Sequence, residues 1–209
     1  MIIKVCGMRE PQNIREVAAL AINWIGFIFY ERSKRFVERC PTEQQVTDSE
    51  QLSPKKVGVF VNATIESMME KASAYKLDYL QLHGNESPED CHTLQKRGYS
   101  LIKAFPIATK EDFEKTREYE GRVDYFLFDT RCEGYGGSGK RFDWSILTEY
   151  KGETPFLLSG GTRPENAEAI RNFRHPRFAG IDLNSGFEIE PGLKDVDKLK
   201  NFIQQILHP

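Results

Sequence analysis

Short apolar runs recur along this chain with longer amphipathic stretches between them, and that alternation restricts the fold more than any other feature. The runs are Ile2–Val5, Trp24–Phe29, Lys56–Val61, Tyr79–Leu82, Leu101–Phe105, Tyr125–Phe128, Phe156–Leu158 and Phe178–Ile181. Each has strand length and carries β-branched or aromatic residues. Between most of them, apolar residues repeat at helical spacing: Ile14, Val17, Ala18 and Ala21; Ile65, Met68, Met69 and Ala72; Val196, Leu199, Phe202, Ile203 and Ile206. The strands are continuously apolar rather than alternating, which predicts burial on both faces, as in a parallel sheet. Eight strand–helix units in 209 residues predict an α/β chain forming a single (β/α)8 barrel with a parallel eight-stranded core, one domain over residues 1–209. The sixth helix, around Trp144–Tyr150, is expected to be short because its pattern is poor. An open doubly wound sheet is the rival, and eight parallel strands are many for it. No Pro/Gly/Ser-rich linker interrupts the units.

Charge and cysteine usage narrow the partners. The net charge of −2, with 29% charged residues, gives no electrostatic reason to expect nucleic acid or an anionic membrane as a partner. The apolar runs fall well short of the roughly 18 residues a spanning helix needs. The N-terminus enters a strand at once, without the basic and apolar regions of a secretory signal. Cys6, Cys40, Cys91 and Cys132 are scattered, and no pair has the CxxC spacing of a metal or redox site. A disulfide framework or zinc site is therefore not expected, and a reducing cytoplasm is the expected location.

In such a barrel, the residues that follow each strand converge on one mouth, where the chemistry collects. Here they are Cys6-Gly7, Tyr30 to Arg35, Asn62, His83-Gly84, Pro106, Asp129-Thr130, Ser159-Gly160-Gly161 and Asp182 to Gly186. Ser159-Gly160-Gly161-Thr162-Arg163-Pro164-Glu165 lets backbone approach a ligand and then opens a helix. Thr162 and Glu165 have capping-box spacing, and Pro164 suits a first turn. Exposed amides there favour a phosphate, and Asn184-Ser185-Gly186 supplies a second glycine loop in the position where barrels bind phosphate between strands seven and eight. Glycines that only shape a tight turn are the alternative.

Asp129 emerges from the apolar run Tyr125–Phe128, a setting that suits a proton donor. Taken alone it is more often a carboxylate paired with a nearby cation, and Asp182 is open to both readings. Cys6 is the complementary base or nucleophile if its thiolate is accessible, although a strand-end cysteine by itself is more often packed filler. Lys4 points the same way about 6.6 Å back along the strand, and its charge is expected to lower the Cys6 pKa. Arg35, in the basic triplet Ser33-Lys34-Arg35, can fork onto a ligand carboxylate; such triplets are also common on solvated loops. The loop from Arg131 to Arg141 contains Gly134, Gly136-Gly137 and Gly139, and reads as a cover or as an idle surface loop. His83 has no second ligand at metal spacing, so a hydrogen-bonding pocket residue is expected rather than a metal site.

These segments carry a resemblance. Lys4-Val5-Cys6-Gly7, Gly26-Phe27-Ile28-Phe29, Ser33-Lys34-Arg35, Val59-Phe60-Val61-Asn62 and Gln81-Leu82-His83-Gly84 closely resemble phosphoribosylanthranilate isomerases. So do Phe128-Asp129-Thr130, Gly136-Gly137-Ser138-Gly139-Lys140, Ser159-Gly160-Gly161-Thr162-Arg163-Pro164-Glu165-Asn166 and Asp182-Leu183-Asn184-Ser185-Gly186, in order from residue 2 to about 207. The resemblance implies a (β/α)8 barrel of tryptophan biosynthesis that converts N-(5-phosphoribosyl)anthranilate to 1-(2-carboxyphenylamino)-1-deoxyribulose 5-phosphate by an Amadori rearrangement. It puts the general base on Cys6 and the general acid on Asp129, and the anthranilate carboxylate on Arg35. His83, Gly160, Gly161, Asp182, Asn184, Ser185 and Gly186 are expected to bind substrate, the glycine loops holding its phosphate. No metal or organic cofactor is implied, because the Schiff-base nitrogen of the substrate serves as the electron sink. The partner expected is the small phosphoribosyl substrate, with no nucleic acid and no membrane, in a monomer or homodimer.

Two positions depart from the family pattern: Asn184 stands where serine is common, and Met8-Arg9 replaces a more usual apolar-Thr pair. Indole-glycerol-phosphate synthase would want a strand-end lysine and glutamate, and a ribulose-phosphate epimerase a His and Asp metal set; neither set is visible. A non-catalytic phosphosugar sensor on the same barrel is the alternative of a different class.

Overall fold

The computed structural model describes residues 1–37, 54–130 and 144–207. Eight parallel strands close into a barrel in chain order, with β8 returning to pair with β1. They are β1 Ile2–Val5, β2 Trp24–Ile28, β3 Lys55–Phe60, β4 Tyr79–Leu82, β5 Ser100–Ile107, β6 Tyr125–Thr130, β7 Phe156–Ser159 and β8 Phe178–Leu183. The expected runs all became strands, but β6 and β8 run further than their apolar cores. Asp129 and Asp182 are therefore ladder residues, paired with Ser159 and Lys4 respectively. One feature had no signal in the apolar pattern: a short antiparallel pair, β9 Glu188–Glu190 and β10 Leu193–Lys194, follows the barrel.

The helices on the outside are α1 Pro11–Ala18, α2 Ile65–Ala74, α3 Pro88–Lys96, α4 Ala167–Asn172 and α5 Val196–Leu207. Local sequence sets their starts. Thr64 Oγ accepts from Ser67 N ahead of α2. Ser87 and Asp90 form a reciprocal capping box at α3, with Pro88 in the first turn. After β5 and β6 the connections are 3-10 segments, Lys110–Tyr119 and Trp144–Glu149. The short sixth helix is thus as its weak pattern predicts. Residues 38–53, the Arg131–Arg141 loop, Cys40 and Cys132 lie outside the described residues.

Strand side chains alternate between two destinations. Outward-facing Ile3, Val5, Ile25, Phe27, Leu80, Leu82, Phe126, Phe128, Leu158 and Ile181 pack in one large core with the helix faces, Val17, Met68, Leu94, Ile170 and Phe202 among them. Inward-facing Trp24, Val57, Ile102, Ala104, Leu127 and Leu157 form a separate cluster capped by Ile2, Tyr79 and Tyr125. This second cluster plugs the N-terminal end of the barrel. One step further along the same inward rows the side chains turn polar (Lys4, Gln81, Asp129, Ser159 and Asp182), and there the barrel becomes a site. Among the described residues, no helix is long and apolar enough to cross a membrane.

Candidate active site

A cavity of about 210 Å3 opens at the C-terminal end of the strands. Cys6, Ile28, Val59, Gln81, His83, Asp129, Ser159, Gly160, Gly161, Thr162, Asp182, Asn184 and Ser185 line it. Eight of the ten residues expected from sequence therefore meet around one cavity. Gly186 lies just beyond, in an adjoining cleft of about 460 Å3 with Gly161, Thr162, Arg163 and Lys198. Arg35 does not line the cavity; its Cδ sits close against Gly7, where a Cβ would approach it to 2.7 Å. Met8, at one of the positions that depart from the family pattern, is fully buried in the core.

Cys6 directly follows β1, with its backbone N–H donated to Leu183 O on β8 at 2.9 Å. It is 3% exposed, a free thiol. Gly26 on β2 makes its room, since a Cβ there would come within 2.7 Å of the sulfur. Beneath it, Lys4 is fully buried and its ammonium donates to Asp182 Oδ1 at 2.8 Å. Ser159 Oγ reaches the other oxygen of Asp182 at 3.2 Å. Of the two readings open for Asp182, the cation-paired carboxylate is the one observed, on the cavity wall. Lys4 does lower the Cys6 pKa as expected, but a larger effect opposes it. Burial pushes the thiol up, and the lysine charge acts downward without cancelling it, while Asp182 adds to the rise. Lys4 itself ends above its ordinary value: burial works against its charge, but Asp182 and Cys6 outweigh that.

Across the mouth, Asp129 projects from β6 with 22% of its side chain exposed. His83 Nε2 stands 3.6 Å from Asp129 Oδ2, and His83 Nδ1 meets Gln81 Nε2 at 2.9 Å. Gly160 (φ +85°) lets the β7 loop pass close by; a Cβ there would sit 2.3 Å from Thr130 O and 2.7 Å from Asp129 Oδ1. Below His83, the buried Lys103 donates to Gly84 O at 2.8 Å and to Glu86 Oε2 at 3.1 Å. Glu86 in turn accepts from Asn62 N and Gly84 N, so one buried ion pair ties together the loops after β3 and β4.

The two glycine loops pack directly together: a Cβ on Gly186 would lie 2.2 Å from Thr162 O. The helix start differs from expectation. Asn166 Oδ1, not Glu165, closes the turn by accepting from Arg163 N at 2.8 Å. Pro164–Asn166 is a 3-10 turn, and α4 behind it has only six residues. The donors there are consequently loop and turn amides rather than the end of a long helix. Thr162 is left free of capping duty: its hydroxyl is buried and, among the described residues, has no hydrogen-bond partner.

Arg35 is already held by a carboxylate of the chain. Its Nε lies 2.8 Å from Glu188 Oε1 and its Nη2 2.5 Å from Oε2. Glu188 also accepts from Lys194 Nζ at 2.7 Å and from Gly192 N at 3.0 Å. Lys194 donates to Asn184 Oδ1 at 2.7 Å as well, which gives that departure from the family pattern a structural task. Burial alone would raise the Glu188 carboxyl, but Arg35, Lys194 and the Gly192 amide hold it at about 2. Two cations thus share one internal anion, leaving a surplus positive charge beside Asn184 and Cys6. Glu188 and Lys194 were missed in sequence because they sit past the last barrel strand. Gln81 and Thr162 each had a signal: a polar residue one inward step before His83, and a threonine directly after a glycine pair.

Fold and site together define a (β/α)8-barrel enzyme with its chemistry at the strand C-termini. The family model described as N-(5'phosphoribosyl)anthranilate (PRA) isomerase matches residues 3–205. The chain belongs to that family. An N-(5'-phosphoribosyl)anthranilate isomerase of Parabacteroides distasonis is 98% identical over 209 residues, covering 100% of this chain and 95% of its own. The one from Phocaeicola vulgatus is 50% identical over 208 residues, covering 99% and 98%. The crystal structure of phosphoribosyl anthranilate isomerase from Thermotoga maritima superposes with a TM-score of 0.82 at 34% identity, covering 99% of this chain and 98% of that one. A phosphoribosyl anthranilate isomerase in complex with reduced 1-(o-carboxyphenylamino)-1-deoxyribulose 5-phosphate gives a TM-score of 0.80 at 30% identity, with the same coverage.

Proposed function

We propose that Cys6 and Asp129 divide the proton transfers of the isomerisation of N-(5-phosphoribosyl)anthranilate, the reaction of tryptophan biosynthesis that this family performs. Asp129 donates a proton to the furanose ring oxygen, the C1–O bond breaks, and the anthranilate nitrogen supplies the electron pair that forms the Schiff base. Cys6 then accepts the proton from C2 of the sugar, giving an enolamine whose tautomerisation yields the 2-ketose. Atoms balance without an added reductant or cofactor. The observation that carries this reading is that the Cys6 thiol, just after β1, and the Asp129 carboxyl of β6 share the wall of a single cavity, whereas Asp182 on the same wall is already paired with Lys4.

The rest of the site supplies binding. Gly161 and Thr162 with Ser185 and Gly186 line the cleft for the phosphate, Gly160 borders it from the Cys6 cavity, and the orphaned Thr162 hydroxyl is a donor awaiting an acceptor. Arg35 with Lys194 supplies the surplus positive charge for the anthranilate carboxylate. His83, Asp182 and Asn184 border the sugar. The whole of residues 1–209 acts as one barrel domain. Free thiols at Cys6 and Cys91 fit a reducing cytoplasm. A monomer or homodimer is the assembly we assign; a phosphoribosylantranilate isomerase from Thermotoga maritima is described as dimeric.

The test is turnover of synthetic N-(5-phosphoribosyl)anthranilate by the purified chain. Conversion to the ketose supports the reading. Binding of a product analogue with no turnover would point instead to a non-catalytic phosphosugar-binding barrel.

A further inference from the structure

Gln81 has two amide ends in different circumstances. It sits on β4 one inward step before His83, so both side chains enter the barrel from the same face of the strand. Gln81 is 1% exposed and lines the Cys6 cavity. Its Nε2 meets His83 Nδ1 at 2.9 Å. Among the described residues, its Oε1 is a buried acceptor with no partner.

The amide decides where the imidazole proton lies. An N–H donated to Nδ1 requires a lone pair there, which leaves the proton of neutral His83 on Nε2. That N–H then faces the Asp129 carboxylate at 3.6 Å. Turning the amide over would aim a ring lone pair at the carboxylate and bury two N–H donors without acceptors. The 3.6 Å separation is too long for a strong hydrogen bond at rest. It shortens usefully only when Asp129 has given up a proton and carries full charge, because hydrogen bonds to ionised acceptors are about twice as strong. An interaction that strengthens as the reaction proceeds lowers the barrier rather than KM.

We propose that Gln81 is a positioning residue of this reaction: through Nε2–H it holds His83 in the Nε2–H tautomer facing Asp129, and it keeps Oε1 for a hydroxyl of the pentose. An unsatisfied buried acceptor is costly until a donor arrives, and an uncharged acceptor among strand side chains suits a neutral sugar hydroxyl. The inference rests on the acid role given to Asp129 above.

Two variants separate the two ends of the amide. Gln81→Glu keeps an acceptor for the sugar but removes the N–H, so His83 must donate from Nδ1. Gln81→Met removes both ends at similar length. Long-range proton–nitrogen NMR of the full-length, ligand-free protein reads the tautomer, with the His83 signal assigned by its loss in His83→Gln. The expected results are Nε2–H in the wild type and Nδ1–H in Gln81→Glu, whose kcat falls about tenfold with KM nearly unchanged. Gln81→Met should lose kcat similarly and raise KM about tenfold as well. A wild type carrying its proton on Nδ1 overturns the inference, and so does a Gln81→Glu protein with switched tautomer and unchanged kcat. Because the wild-type spectrum needs no turnover, failure here is distinguishable from a protein that simply does not isomerise the substrate.

Discussion

Replacing Glu188 by glutamine should destabilise the protein by an amount that shrinks as the solution is acidified. Glu188 is 5% exposed on its side chain and is shared by Arg35 and Lys194. Its carboxyl lies at about 2 when folded, against 4.5 for an unhindered glutamate. At about 1.4 kcal/mol per unit this corresponds to about 3 kcal/mol of stability in the ionised range. The folded value lies below the unfolded one, so this contribution is complete above roughly pH 5 and is lost as pH falls toward 2. Near pH 3.5 about 1.4 kcal/mol of it should already be gone. Glutamine cannot be ionised, and it leaves the buried Lys194 and the partly buried Arg35 without their anion, which costs about 3–5 kcal/mol at neutral pH. Urea unfolding of wild type and Glu188→Gln at neutral pH, at about pH 4.5 and at about pH 3.5 should show the stability gap narrowing by roughly that 1.4 kcal/mol. A gap that stays constant with pH, or a variant as stable as wild type at neutral pH, would refute the shared-anion reading.

Other consequences are equally concrete. Because burial holds the Cys6 thiol above its ordinary range, the ultraviolet thiolate absorbance that Cys6→Ser removes should develop only in the alkaline range; a thiolate signal already complete at pH 7 would contradict this. Folding stability should fall in that same alkaline window as the buried thiol is forced to ionise, which urea unfolding at pH 8 and 10 can measure. Gly26→Ala puts a Cβ 2.7 Å from the Cys6 sulfur, so circular dichroism should show a folded barrel while kcat drops by about tenfold or more. Lys4→Met strands Asp182 as a buried lone charge and should cost about 3–5 kcal/mol at neutral pH by urea unfolding; it should also move the Cys6 thiolate titration to higher pH, since Lys4 lowers the Cys6 pKa.

The barrel was legible because a parallel strand buried on both faces leaves an unmistakable apolar run, and eight such runs between amphipathic stretches admit few closures. The site was legible to the extent that polar residues sit at the ends of those runs. Cys6, His83, Asp129 and the Ser159–Gly161 turn all reached the same cavity on that signal alone. What sequence could not convey was which charges cancel. Lys4 acts on Cys6 as their shared face of β1 predicts, but the register also places Asp182 directly across the ladder and the ammonium pairs there. Arg35 was read as free for ligand, but a carboxylate 153 residues away reaches it through the β9–β10 turn. Such pairings depend on ring closure, which no local pattern records. The cap after β7 failed for a smaller reason: Thr162–Glu165 and Arg163–Asn166 both have usable spacing, and the positive φ of Gly160 and Gly161 turned the chain one residue later.

Surplus charge explains the arrangement beneath the thiol. Lys4 is matched by Asp182, whereas Lys194 and Arg35 share Glu188. A substrate that brings a carboxylate completes the second set, and one lacking it leaves a partly buried cation unpaired. With the anthranilate carboxylate assigned to Arg35 and Lys194 as proposed, an analogue lacking it is expected to bind more weakly for reasons of charge as well as shape.

The most direct measurement is the single-turnover rate of N-(5-phosphoribosyl)anthranilate isomerisation in Cys6→Ser and Asp129→Asn, beside wild type under identical conditions. Each variant should lose at least about a hundredfold in rate while still binding a product analogue with near wild-type affinity. Wild-type turnover in either variant would contradict the division of proton transfers between this thiol and this carboxylate.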